Sequence, residues 1–94
     1  MVEETKVKHI LFTLKNCSYE LINDEEFIRK LLYRTTNECK ATLLHLAVHK
    51  FEPQGVTGFA LLAESHISIH TWPENGMAVC DVFTCGDTAM PEIG

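Results

Sequence analysis

A single two-layer α+β sandwich, with an antiparallel sheet and a helix on one face, is the fold class this sequence predicts. Three observations carry that reading. One segment, Asn23 to Lys40, has helical periodicity. About five other segments have strand character and are joined largely by hairpin signals. The chain has 94 residues, enough for one domain with one small core. At this length only about 60–65% of the surface of the unfolded chain is buried on folding.

The elements follow in order. Val7 to Leu14 reads as a first strand that ends near Lys15-Asn16. Asn23-Asp24-Glu25-Glu26 is a helix start. Asn23 caps the first turn, Glu26 reaches back, and the acidic cluster suits the positive end of the helix dipole. Phe27, Ile28, Leu31 and Leu32 form one apolar stripe, and the helix fades by Asn37-Glu38-Cys39-Lys40. Ala41 to Phe51 is a mixed apolar strand carrying His45 and His49. Glu52-Pro53-Gln54-Gly55 fits a type I turn, with Pro second and Gly fourth. Val56 to Ala63 is a continuous apolar run, as expected of a well-buried strand. From His66 to His70 the residues alternate, Ile67 and Ile69 to one side and His66, Ser68 and His70 to the other. Asn75-Gly76 is a hairpin signal joining that strand to Met77–Thr84.

Composition excludes several functions. The chain carries 8 Lys+Arg against 13 Asp+Glu, a net charge of −5, the wrong sign for a nucleic-acid footprint. No apolar run approaches the ~20 residues of a membrane helix. The start, Met1-Val2-Glu3-Glu4-Thr5-Lys6, is acidic and polar, unlike a signal peptide, so a cytoplasmic location is expected. Cys17, Cys39, Cys80 and Cys85 show no C-x-x-C pairing and are expected to be free thiols without a metal.

Glu64 to Glu74 concentrates hydroxyls, imidazoles and carboxylates. An amphipathic strand with a wet polar face would account for them blandly. A metal pair is disfavoured, because His66 and His70 on a strand lie some ~13 Å apart. A hydrolase triad lacks its G-x-S-x-G elbow. A third chemistry fits the residue types. A serine hydroxyl attacks the carbonyl before it and turns the Glu64–Ser65 peptide into an ester. A base such as His70 then removes the serine α-proton, and the carboxylate is eliminated. The dehydroalanine left behind becomes a pyruvoyl group with release of ammonia. Composition and spacing permit this route without singling it out.

Specific runs carry a resemblance. They are His49-Lys50-Phe51-Glu52-Pro53-Gln54-Gly55-Val56-Thr57-Gly58, Ala63-Glu64-Ser65-His66, Ile69-His70-Thr71-Trp72-Pro73-Glu74 and Asp81-Val82-Phe83-Thr84-Cys85-Gly86-Asp87. Across Val7 to Asp87 the chain resembles the small prokaryotic S-adenosylmethionine decarboxylases, pyruvoyl-dependent enzymes that supply the aminopropyl donor for spermidine synthesis. The resemblance implies self-cleavage between Glu64 and Ser65 of one domain, 1–94, into a β chain 1–64 and an α chain 65–94. Ser65 becomes the pyruvoyl group, which forms a Schiff base with the substrate amine and does the work of a pyridoxal cofactor. His70 is implied as the proton-transfer residue of processing, and Cys85 as the acid that reprotonates the substrate. Phe51, Glu74 and His66 are implied as substrate-binding residues. Phe51 stacks on adenine with an imidazole opposite, and Glu74 holds the ribose hydroxyls.

The resemblance also marks two departures. Thr57 stands where the family usually has the serine that supports processing. Threonine keeps the oxygen but stiffens χ1, so slower cleavage is expected. Family members generally continue further past Cys-Gly-Asp, whereas this chain stops at Gly94. A small core without that segment should expose apolar surface, so a homodimer of cleaved units, a four-layer αββα assembly, is expected. Two other readings compete. One is a pyruvoyl-dependent arginine or ornithine decarboxylase, disfavoured by Phe51 and Glu74. The other is an unprocessed homologue serving as a binding or regulatory subunit.

Overall fold

The computed structural model describes residues 7–85. Its strands are β1 (Val7–Leu14), β2 (Leu43–Lys50), β3 (Val56–Leu62), β4 (Ser65–Trp72) and β5 (Met77–Cys85). They form one five-stranded sheet in the order β1-β5-β4-β3-β2. Every neighbouring pair is antiparallel. Two helices, α1 (Tyr19–Ile22) and α2 (Glu25–Glu38), lie between β1 and β2 in the chain. The α+β sandwich expected from the sequence is therefore the observed architecture. Among the described residues no helix is long and apolar enough to cross a membrane.

The period of two along each strand decides what the sheet buries. Val56, Ala60 and Leu62 of β3, Ile67 and Ile69 of β4, and Ala78, Cys80 and Val82 of β5 point inward onto Ile28 and Leu32 of α2. Helix and sheet meet closely at Gly58. A Cβ there would lie 2.7 Å from Leu32 Cδ1 and 2.9 Å from Ile28 Cγ2, so only glycine lets α2 sit this low on β3.

Among the described residues no helix covers the opposite face. It carries Leu11, Phe59 and Leu61, all exposed, together with every one of the chain's 5 histidines. The register aligns His9 with Phe83, His45 with Leu61, His49 with Thr57, His66 with Phe83 and His70 with Thr57.

Local details differ from the sequence reading. The short helix α1, capped by Ser18, was not anticipated, since four residues are too few to show a period. Asp24, not Asn23, caps α2, and its side chain accepts from the Glu26 and Phe27 amides. The Asn23 side chain is used elsewhere, accepting from the Gly55 amide at 2.9 Å. The Glu52–Pro53 peptide is cis, and with the Gly55 amide bonded to Asn23 the loop closes instead through the Phe51 amide, which donates to the Gly55 carbonyl at 2.8 Å. β4 and β5 are joined not by a two-residue Asn-Gly hairpin but by a 3₁₀ turn, Pro73–Asn75, that ends in left-handed Gly76.

Candidate active site

The tight Ala63-Glu64 turn joins β3 to β4, held by the Ala63 amide donating to the Thr42 carbonyl at 3.0 Å. Glu64 lies at φ 64°. That left-handed conformation costs a residue with a Cβ roughly 1 kcal/mol or more. The bond between this strained residue and the next is the one implied for cleavage. Ser65 opens β4 on the inward face and is only 7% exposed. Opposite it in the β4–β5 register stands Thr84, which is 1% exposed. Ser65 Oγ and Thr84 Oγ1 are the two buried side-chain oxygens among the described residues that have no hydrogen-bond partner. A groove of about 320 Å³, lined by Lys40, Ala41, Thr42, Ala63 and Glu64, opens beside the bond.

The remaining candidates gather at the far end of the sheet. His70 Nδ1 and Thr57 Oγ1 are 3.0 Å apart and are register partners across β3 and β4. Phe51, just beyond β2, is exposed, and its ring meets that of His49 edge-on at 4.6 Å. Glu74 lies exposed in the 3₁₀ turn that follows β4. His70 is thus five residues from Ser65 along β4, about 17 Å away at the strand rise, and on the other face. Within one chain the serine and its expected base do not meet.

His66 is in neither cluster. It stands mid-sheet on the open face, its ring parallel to Phe83 at 5.3 Å. The imidazole beside Phe51 belongs to His49. Asp81 Oδ2 accepts from His9 Nε2 at 2.8 Å and from His66 Nε2 at 3.4 Å. Ser68 donates to the other carboxylate oxygen. Burial pushes the Asp81 carboxyl up, but the hydrogen bonds from Ser68, His9 and His66 outweigh it and hold the group below its ordinary range.

Cys17, Cys39 and Cys80 are free thiols. Burial, helped by Cys17 and Asp81, pushes Cys80 up to about 11, and burial with Glu38 raises Cys39. Both stay protonated and unreactive near neutrality. Cys85 ends β5 opposite Val7 on the backbone. The expectation that its thiol donates a proton lies outside the described part of the molecule, as do Gly86 and Asp87.

Residue types alone assign no role to Asp81 or Thr84, although both stand in the Asp81–Asp87 run. What distinguishes them is strand register, which residue types do not reveal.

Together the fold and site define an α+β sandwich with a serine centre at a strained strand junction and an imidazole–aromatic cluster at the opposite end. Comparison with known proteins supplies the family. The family model for S-adenosylmethionine decarboxylase matches residues 8–93. The chain is 59% identical over 85 residues to an S-adenosylmethionine decarboxylase proenzyme of Prochlorococcus marinus (strain MIT 9313), covering 90% of this chain and 68% of that one. It is 52% identical over 85 residues to the proenzyme of that name from Methanococcus aeolicus, covering 90% of this chain and 73% of the relative. The crystal structure of the adenosylmethionine decarboxylase from Aquifex aeolicus superimposes with a TM-score of 0.83 at 44% identity, covering 90% of this chain and 70% of that one. The chain belongs to the S-adenosylmethionine decarboxylase family.

Proposed function

We propose that this chain is a self-cleaving proenzyme that splits at Glu64–Ser65 and decarboxylates S-adenosylmethionine through a pyruvoyl group made from Ser65. The observation that carries this reading is the junction itself. A left-handed Glu64 precedes a buried serine whose hydroxyl has no partner among the described residues. Such a hydroxyl is free to attack the carbonyl before it. An ordinary strand serine would be hydrogen-bonded or wet.

Cleavage requires a base, and the chain's own His70 is too far from Ser65. We therefore read the two clusters as halves of a composite site that a second copy completes. The exposed Leu11, Phe59 and Leu61 on the uncovered face favour pairing of sheets through that face. In the paired form one copy brings Ser65 and Thr84, and the other brings Thr57, His70, Phe51 and Glu74. With His70 Nδ1–H donating to Thr57 Oγ1, its Nε2 keeps a lone pair and takes the Ser65 α-proton, so the β chain 1–64 leaves as a carboxylate.

The residues at this junction fit the pyruvoyl group, because Ser65 heads its strand and no described residue ties its hydroxyl down. When formed, that group supplies an electron sink for the pair left by departing carbon dioxide, so no separate cofactor is bound. The chain's other residues bind and orient. Phe51 offers an exposed ring to adenine, with the His49 imidazole as its neighbour, and Glu74 offers a carboxylate to the ribose hydroxyls. Cys85 is the proposed donor of the proton that replaces the carboxylate.

Intact-mass measurement of the full chain under denaturing conditions tests the cleavage. Two fragments divided before Ser65, the second lacking a free amine, are expected. A single species at full mass overturns the reading. Release of labelled carbon dioxide from S-adenosylmethionine, and not from arginine or ornithine, is expected of the cleaved form.

A further inference from the structure

We propose that Thr84 is a positioning residue for self-cleavage, its hydroxyl accepting the Ser65 Oγ–H so that the serine oxygen is turned onto the Glu64 carbonyl carbon. The inference rests on cleavage at Glu64–Ser65 as read above.

Four polar residues are buried in the described chain: Thr36, Ser65, Thr71 and Thr84. Two of them are fully accounted for. Thr36 Oγ1 donates to the Leu32 carbonyl at 2.9 Å. Thr71 Oγ1 donates to the Ile22 carbonyl at 2.8 Å and accepts from the Val56 amide at 2.8 Å, pinning α1 to the sheet. Ser65 and Thr84 have no partner among the described residues, and each such group carries an uncompensated desolvation cost. Valine at position 84 would fill nearly the same volume without that cost, and the preceding inward residues of β5, Ala78, Cys80 and Val82, are indeed apolar. The two uncompensated hydroxyls are also not scattered. They are direct register partners, next to the bond implied for cleavage.

Facing residues of an antiparallel pair hold their Cβ atoms about 4.5–5.5 Å apart, so χ1 rotation brings one hydroxyl within hydrogen-bond reach of the other. Ser65 Oγ–H then donates a hydrogen bond to Thr84 Oγ1, which directs a serine lone pair at the carbonyl. In the step this prepares, a bond forms between Ser65 Oγ and the Glu64 carbonyl carbon. The Glu64–Ser65 C–N bond breaks, and the hydroxyl proton ends on the nitrogen, which becomes the Ser65 amine. Nothing is added or lost.

The test uses the full chain, with Thr84→Val and Thr84→Ser followed by intact mass against time. Melting is measured in a Ser65→Ala background, so that all samples are uncleaved. Thr84→Val should slow cleavage by about 10- to 100-fold, the usual loss when a reacting atom is misaligned, and should melt no lower than its parent. Thr84→Ser should cleave near the wild-type rate. If wild type cleaves and Thr84→Val keeps pace, the inference falls while the cleavage reading stands. If Thr84→Val melts below its parent and Thr84→Ser fails to restore cleavage, the role is structural and the inference is overturned. If wild type does not cleave at this bond, both readings fall.

Discussion

Two inactive variants of this chain should rescue one another. Ser65→Ala removes the proposed nucleophile and His70→Ala the proposed base, so neither alone should cleave. The expected rescue follows from β4. The five residues from Ser65 to His70 span about 17 Å, and their odd separation puts the side chains on opposite faces. Proton transfer needs donor and acceptor within about 3 Å, and χ rotations cannot close that gap. If His70 acts on Ser65, it acts on the serine of a second copy. In a mixed dimer one composite site has lost both groups and the other retains both. Equal co-expression with random pairing makes about half the dimers mixed, so about a quarter of all chains should cleave. The assay is intact mass of the co-purified chains. The cleaved quarter must come from the His70→Ala chain, which retains Ser65, while the Ser65→Ala chain stays whole. Cleavage of His70→Ala on its own, or none in the mixture, would refute the composite site.

Three further outcomes follow from the described geometry. Gly58→Ala drives a Cβ to 2.7 Å from Leu32 Cδ1 and should lower stability to urea by about 1–3 kcal/mol; an unchanged midpoint would show that α2 lifts freely from β3. In an uncleaved Ser65→Ala background, Glu64→Gly should raise stability by up to about 1 kcal/mol, because glycine takes φ 64° without a Cβ penalty, and a lower melting temperature counts against strain at this turn. The Asp81 carboxyl is held below its ordinary value of 3.8, so its hydrogen bonds stabilise the fold above about pH 4 and are lost as pH falls through the lower folded value. Asp81→Asn should flatten that acid limb in denaturation curves taken from neutral pH downward, and an unaltered limb would remove Asp81 from the account.

Much of this architecture can be read from residue order, and the part that cannot has a physical cause. The α2 stripe and the alternation from His66 to His70 are periodic, so they announce both an element and its buried face. The same alternation already separates Ser65 from His70, since it groups Ser65 with Ile67 and Ile69. The separation of Ser65 from His70 was therefore legible in principle. Thr84 was not, because its position depends on how β5 docks on β4. A two-residue hairpin at Asn75-Gly76 would pair Glu74 with Met77 and set Ser65 opposite Gly86. Instead, Pro73 has no amide to donate to the ladder, so β4 stops at Trp72, which pairs with Met77. The intervening residues become the 3₁₀ turn and left-handed Gly76. That closure moves the register by two residues and keeps every side chain on its expected face, so no hydrophobic pattern reports the change. It also brings Thr84, and no other residue of β5, opposite the serine at the strained bond. A proline at the far end of the hairpin thus decides which hydroxyl faces Ser65.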